Sequence, residues 1–166
     1  YAEKIIAAHE AGRKEEIPFT GMGYTTAIAR AYRLKRLENG PDSFTLNLTA
    51  VRFGNIVFSG IPNEPFTEIG RAIKKASPFD MTLVTCCSNG HQGYLPMQSA
   101  YDEGGYEARS SNFAAGVAER IIENGLKLIN LICLLSREHL LGYGNNTKTG
   151  SSLFFGRENN LYILFG

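Results

Sequence analysis

The stretch Asn55–Gly70, NIVFSGIPNEPFTEIG, decides the fold of this chain. It begins as a short apolar strand, breaks at Ile61-Pro62-Asn63, and places Glu64 where Pro65 is expected to start a helix. In α/β proteins, ligand sites form where a buried strand ends and a helix begins. The same position also favours a carboxylate that caps the helix, through exposed backbone N–H groups and the helix dipole.

The residues on either side of this stretch predict a strand-helix-strand unit. Residues Ser43–Phe53 alternate apolar and polar side chains, which indicates a half-buried strand that forms a hairpin with Ile56–Phe58 through a turn at Gly54-Asn55. After Pro65, apolar residues at helical spacing predict one buried stripe. Met81–Cys87 is then expected to be a second buried strand, parallel to the first.

If these strands are parallel, the loops that follow them emerge at the same edge of the sheet. Glu64 should therefore meet the segment Ser88–Tyr94, and this convergence is the structural basis for expecting a site. Ser99–Ser111 is interpreted as a polar loop, and a helix is expected over about residues 112–135. The overall prediction is an α/β fold with a mixed sheet and a strand-helix-strand crossover.

Two further segments complete the predicted organisation. Two N-terminal helices are expected, and Gly21-Met22-Gly23 between them is interpreted as a plain turn rather than a phosphate-binding loop. Residues 1–135 are assigned to one α/β domain. Residues 136–166, rich in Gly, Asn, Ser and Thr, are a tail to which no structure is assigned.

Composition excludes several classes of partner. Seventeen basic and sixteen acidic residues are dispersed along the 166 residues, so there is no basic surface for nucleic acid. The most apolar segment, Leu126–Leu135, is shorter than the roughly 20 residues of a membrane span and indicates a buried helix in a soluble protein. Three cysteines are expected to be buried thiols. No signal peptide is visible, but the chain opens on Tyr1, so the N-terminus is expected to be truncated and the compartment stays open.

The chemistry-bearing residues near Glu64 lie in the segment Asn89–Tyr94, NGHQGY. A metal ligand or general base at Glu64 needs further donors nearby, and this segment offers Asn89, His91 and Tyr94. Its glycines allow the backbone to bend tightly. A lone histidine in such a loop is also commonly exposed or structural.

The sequence also carries a family resemblance, in the order of two segments joined by a spacer helix: NEPFTEIG and TLVTCCSNGHQGYLPMQSAYDEGGYEARSSNFAAGVAE. This order resembles the zinc-dependent neutral/alkaline, non-lysosomal ceramidases. The similarity covers about residues 17–131 and is most specific over Asn55–Glu119. The family's zinc glutamate matches Glu64, and its zinc tyrosine matches Tyr94. Asn63 stands where the family commonly has glycine, and His91 stands where other members often have an aromatic residue.

This resemblance implies a partial ceramidase-like catalytic domain that hydrolyses the N-acyl amide bond of ceramide or a related N-acyl lipid. Zn²⁺ would supply a nucleophilic water at neutral pH, and Tyr94 could also hydrogen-bond the developing oxyanion. The family's two zinc histidines and its serine lie upstream of the matched residues. The chain is therefore expected to carry half of the metal site and to lack the N-terminal half of the catalytic domain.

Two other interpretations stay open. In the first, the chain is a non-catalytic α/β binding or interaction module in which Glu64 only caps a helix and Tyr94 only packs. In the second, His91 and Glu64 act without metal in a small-molecule hydrolase. Zinc content, and activity in the presence of a chelator, would distinguish the three.

Overall fold

The computed structural model describes residues 1–142, 153–155 and 161–163, with side chains as far as residue 135. The chain divides into two compact units, Tyr1–Thr45 and Leu46–Gly166. The predicted boundary after residue 135 falls within the last helix, at the end of the described side chains, and stays a prediction.

The first unit is helical. It contains α1 (Ala2–Glu10), a short 3-10 helix (Lys14–Glu16) and α2 (Gly21–Glu38). Its core is formed by four buried side chains, Ile5, Ala8, Ile17 and Ala31. The prediction of a plain turn at Gly21–Gly23 is wrong, because these residues form the first turn of α2, with Thr20 at the N-cap.

The second unit is a mixed α/β structure. Its strands within the described residues are β1 (Thr49–Phe53), β2 (Ile56–Gly60), β3 (Glu64–Pro65), β4 (Met81–Thr85), β5 (Tyr94–Leu95), β6 (Leu153–Phe155) and β7 (Leu161–Ile163). Its helices there are α3 (Thr67–Ala76), α4 (Gln98–Glu103), α5 (Tyr106–Ser110) and α6 (Val117–Gly142). The part of the chain that the structure describes thus holds six α-helices and short strands.

The predicted crossover is confirmed. β1 and β2 form an antiparallel hairpin, and β2 pairs in parallel with β4 through α3, so the sheet has the order β1-β2-β4. The hairpin's first strand starts at Thr49 rather than at Ser43. Thr49 pairs with Gly60, where β2 ends, so the residues before Thr49 have no β2 residue left to pair with.

The core lies between the sheet and two helices. Val57 of β2 is fully buried, as are Ile69 and Ile73 of α3 and Ile129 and Ile132 of α6. Gly125 lets α6 approach α3 closely, because a Cβ there would lie 3.3 Å from Cδ1 of Ile73. Packing of this apolar stripe, rather than helix propensity, holds α3 in place.

Burial of β4 on both faces is not observed. Met81 and Leu83 are 51% and 38% exposed, whereas Thr82 between them is buried. Cys86 and Cys87, expected to be buried thiols, are also exposed. β4 ends at Thr85, which leaves both cysteines in the following turn, where Cys87 adopts a left-handed φ of 51°.

The segment Ser99–Ser111 is helical rather than the predicted loop. Its glycines separate two short helices, because Gly104 ends α4 with a left-handed φ of 72° and Gly105 provides the N-cap of α5. The helix predicted over about residues 112–135 is observed as α6, which begins at Val117 and continues to Gly142.

None of the helices in the described residues is long and apolar enough to span a membrane. In the predicted tail, β6 and β7 form an antiparallel pair. The rest of the tail after Gly142 lies outside the described residues.

Candidate functional site

Glu64 is not a helix cap. It lies in β3, and α3 begins three residues later at Thr67, with Phe66 at its N-cap and no side-chain capping hydrogen bond. Pro65 is likewise a strand residue and does not start the helix. The capping explanation of this carboxylate is therefore wrong, and the position of Glu64 needs another reason.

The backbone places Glu64 directly beside Tyr94. β3 and β5 pair in parallel, with Glu64 opposite Tyr94 and Pro65 opposite Leu95. The Glu64 N–H donates to the Gly93 carbonyl at 3.1 Å, and the Phe66 N–H donates to the Leu95 carbonyl at 3.3 Å. Leu95 is fully buried and anchors β5 in the core. The loops that follow β2 and β4 thus converge as the sequence predicts.

His91 joins this pair. Its Nε2 lies 2.6 Å from Oε1 of Glu64, in a direct contact between two partly exposed side chains. The exposed fractions are 55% for His91 and 41% for Glu64, so both side chains can reorient toward a ligand. The structure thereby brings together Glu64, His91 and Tyr94 from two short strands and one loop.

Asn63 fixes the loop that carries His91. Its N–H donates to the Gly90 carbonyl at 2.9 Å, and its carbonyl accepts from the Cys87 N–H at 2.8 Å. Its side-chain Oδ1 accepts from the Gln92 N–H. Asn63 is 1% exposed and has a left-handed φ of 67°, a conformation that asparagine tolerates better than most residues. Sequence analysis missed this role, although Ile-Pro-Asn between a strand and a carboxylate is a turn signal.

Residues before α6 hold the opposite side of the loop. The Ser111 hydroxyl donates to the Tyr94 carbonyl at 3.0 Å. The Asn112 amide donates to the Gln92 carbonyl at 2.7 Å. The backbone around His91 and Tyr94 is therefore held from both sides, although the side chains of both residues remain accessible.

The negative charge of Glu64 influences its neighbours. It is the main cause that raises the pKa of Tyr94 above its ordinary value, followed by desolvation and by the nearby Tyr106. The Tyr106 ring packs edge-on against Tyr94, with 5.9 Å between centroids. Desolvation first, then Cys86 and Glu64, also raise the pKa of the Cys87 thiol. The site thus favours neutral phenol and thiol groups around one carboxylate.

The donor set suits zinc in type. Among the described residues, no three side chains of His, Cys, Asp and Glu meet in a metal-binding arrangement. Glu64 and His91 do meet, and the phenol oxygen of Tyr94 is a third donor beside them. Carboxylate oxygen and imidazole nitrogen are ordinary zinc ligands, so these residues fit the ion that the resemblance implies.

Asn89 points away from this donor set, and the chain contains two further histidines, His9 and His139. The Asn89 amide donates to the Thr49 hydroxyl rather than pointing at Glu64. His9 belongs to the first unit, where its Nδ1 lies 3.4 Å from the Tyr24 hydroxyl. The side chain of His139 lies outside the described residues.

The chain matches no protein-family model, no curated protein and no solved structure. The ceramidase resemblance therefore stays a prediction from the sequence, beside the geometry of Glu64, His91 and Tyr94.

Proposed function

We propose that this chain contributes the Glu64 and Tyr94 part of the zinc site of a ceramidase-type amidohydrolase, which cleaves the N-acyl amide bond of ceramide or a related N-acyl lipid. The observation that carries the proposal is the direct β3–β5 pairing of Glu64 with Tyr94. Adjacent residues in a parallel ladder present their side chains on the same face, so one ion can be reached by both.

Each residue has a distinct role in this proposal. Glu64 supplies an anionic ligand, because its carboxylate does not cap α3. Tyr94 supplies a phenol that either completes the ligand set or donates a hydrogen bond to the oxyanion of the acyl carbonyl. Asn63 holds the loop that carries His91 through three hydrogen bonds, to Cys87, Gly90 and Gln92.

Zinc, when bound, would polarise the amide carbonyl and lower the pKa of a water molecule toward about 7. The resemblance assigns two further histidine ligands to residues upstream of the matched stretch. In this proposal, full activity therefore requires those residues together with Glu64 and Tyr94.

The test is hydrolysis of a ceramide with a fluorescent acyl chain, by this chain and by a version extended upstream. We expect zinc-dependent hydrolysis by the extended protein and its loss in Glu64→Gln. Tyr94→Phe should lower kcat by about 100-fold or more if the phenol serves the oxyanion. Glu107→Gln is the matched control, because Glu107 also raises the pKa of Tyr94 but lies in α5, outside the β3–β5 pair.

The outcomes separate the alternatives. Unchanged zinc content and activity in Glu64→Gln would reject the proposal and favour a non-catalytic binding module. Activity that persists in a chelator and is lost in His91→Phe would favour the metal-free pair, which the 2.6 Å contact between His91 and Glu64 supports.

A further inference from the structure

We infer that His91 is a third zinc ligand, and that Glu64, His91 and Tyr94 together form a zinc site within this chain. The inference rests on the proposed zinc chemistry but goes beyond it. By resemblance, the chain holds only two ligands, and the position of His91 is commonly aromatic. Three protein ligands plus one open position is the usual composition of a catalytic zinc site.

The distance between the two best-placed donors is close to that of a shared ion. Zinc bonds of about 2.0–2.1 Å at a tetrahedral angle place neighbouring ligand atoms about 3.3 Å apart. Nε2 of His91 and Oε1 of Glu64 are 2.6 Å apart. The donors need to separate by only about 0.7 Å, and the ion would then lie between the two atoms.

Exposure allows this small movement. His91 and Glu64 are 55% and 41% exposed, and neither is locked by packing. The backbone beneath them is held by Asn63 on one side and Asn112 on the other. The loop therefore fixes where the imidazole starts from, while its side-chain torsions remain free to place the ring.

Tyr94 provides the third donor without a change of backbone. It lies opposite Glu64 in the parallel ladder, so the two side chains lie on the same face of the strand pair. An ion held by Glu64 would therefore have the phenol oxygen within reach as a further ligand. The set of one nitrogen and two oxygen donors matches zinc rather than the all-oxygen sites of calcium or magnesium.

The main competitor for zinc in this region is the vicinal thiol pair Cys86-Cys87, which is exposed near Glu64. The experiment is therefore done on the full chain in a Cys86→Ser, Cys87→Ser background as well as in the native sequence. Zinc binding is measured by isothermal titration calorimetry, and circular dichroism checks that each variant is folded. His9→Phe, which alters an exposed histidine in the first unit, is the matched control.

We expect one zinc ion per chain in both backgrounds. His91→Phe should weaken binding by more than about tenfold, since even residues that only orient a ligand contribute about 10–100-fold. His91→Gln should weaken it equally, because glutamine keeps a hydrogen-bond donor for Glu64 but is a poor zinc ligand. His9→Phe should leave binding unchanged.

Three results would overturn the inference. Wild-type affinity in His91→Gln would show that His91 only positions Glu64. Loss of binding on removal of the two thiols would assign the ion to them. Absence of zinc binding by the native chain would also refute the site, whereas zinc-dependent, Glu64-sensitive hydrolysis by the extended protein would still support the proposed function.

Discussion

Replacing Asn63 should loosen the candidate site, and the cost can be worked out from its contacts. Asn63→Gly keeps the left-handed backbone but deletes the side-chain acceptor of the Gln92 N–H. Losing the partner of a buried donor costs about 1–3 kcal/mol. Gln92 is exposed, so water can replace part of this bond. The buried Nδ2 of Asn63 has no hydrogen-bond partner among the described residues, which destabilises the wild-type chain. Asn63→Gly removes this atom and therefore offsets part of the loss. We therefore expect Asn63→Gly to lower the free energy of local unfolding by about 1 kcal/mol.

Asn63→Ala should cost more than Asn63→Gly. The same hydrogen bond is lost, and alanine at a φ of 67° adds about 1–2 kcal/mol of backbone strain. The sum is about 2–3 kcal/mol, so the difference between the two variants isolates the strain. Asn89 is the matched control, because it is also left-handed, with a φ of 63°, but is exposed. Asn89→Ala should carry about the same strain as Asn63→Ala, and it loses an exposed hydrogen bond to Thr49 rather than the contact with Gln92.

Hydrogen exchange measured by mass spectrometry is the suitable assay, because it reports opening of the β3–β5 pair rather than of the whole chain. Peptides that cover residues 62–66 and 88–95 should exchange about 30-fold faster in Asn63→Ala for a cost of 2 kcal/mol, and about fivefold faster in Asn63→Gly. Equal exchange in the two variants would refute the strain argument. Wild-type exchange in both would show that Asn63 does not hold the loop.

Three further predictions concern the second unit. Ile69→Ala should lower the free energy of unfolding by about 2–5 kcal/mol, measured by urea unfolding, whereas Leu134→Ala, at a 59% exposed position, should have little effect. Desolvation raises the pKa of Tyr101 above 10.0, so the stability that this phenol contributes is present below pH 10 and is lost as pH rises through the folded pKa. Tyr101→Phe, which loses the bond to the Phe113 carbonyl, should be less stable at pH 8 by about 1 kcal/mol, and this gap should narrow at higher pH; a constant gap would contradict the assignment. Because the pKa of Cys87 is raised, brief alkylation at pH 7.5 followed by peptide mapping should label Cys87 more slowly than Cys86, and equal labelling would count against that shift.

The crossover could be predicted from the sequence because its signals are local and consistent. Alternation, a turn at Gly54-Asn55 and one helical stripe with Ile69 and Ile73 specify β2, α3 and their packing without further information. The start of the first strand could not be predicted, because it depends on where the partner strand ends. Gly60 ends β2, and the pairing of Thr49 with Gly60 then limits β1.

The convergence of Glu64 with the segment Ser88–Tyr94 could also be predicted, but the sequence pattern did not indicate that His91 and Tyr94, rather than Asn89, would lie beside Glu64. Parallel strands place their following loops at one edge, which is a rule of topology. The path of the chain between Cys87 and Tyr94 depends instead on left-handed residues at Asn63, Cys87 and Asn89. Each of these conformations is selected by hydrogen bonds to distant residues, and alternation or helical spacing carries no information about them.

The loss of the capping explanation changes which chemistry the carboxylate of Glu64 supports. A capping carboxylate is stabilised by N–H groups, but Glu64 contacts His91 and raises the pKa of both Tyr94 and Cys87. Glu64 is the largest cause of the raised pKa of Tyr94, whereas desolvation and Cys86 raise the pKa of Cys87 more than Glu64 does. A divalent cation would reverse this effect, because it offsets the carboxylate and favours deprotonated ligands. The zinc content of the wild-type chain therefore distinguishes the zinc proposal from a metal-free use of the contact between His91 and Glu64.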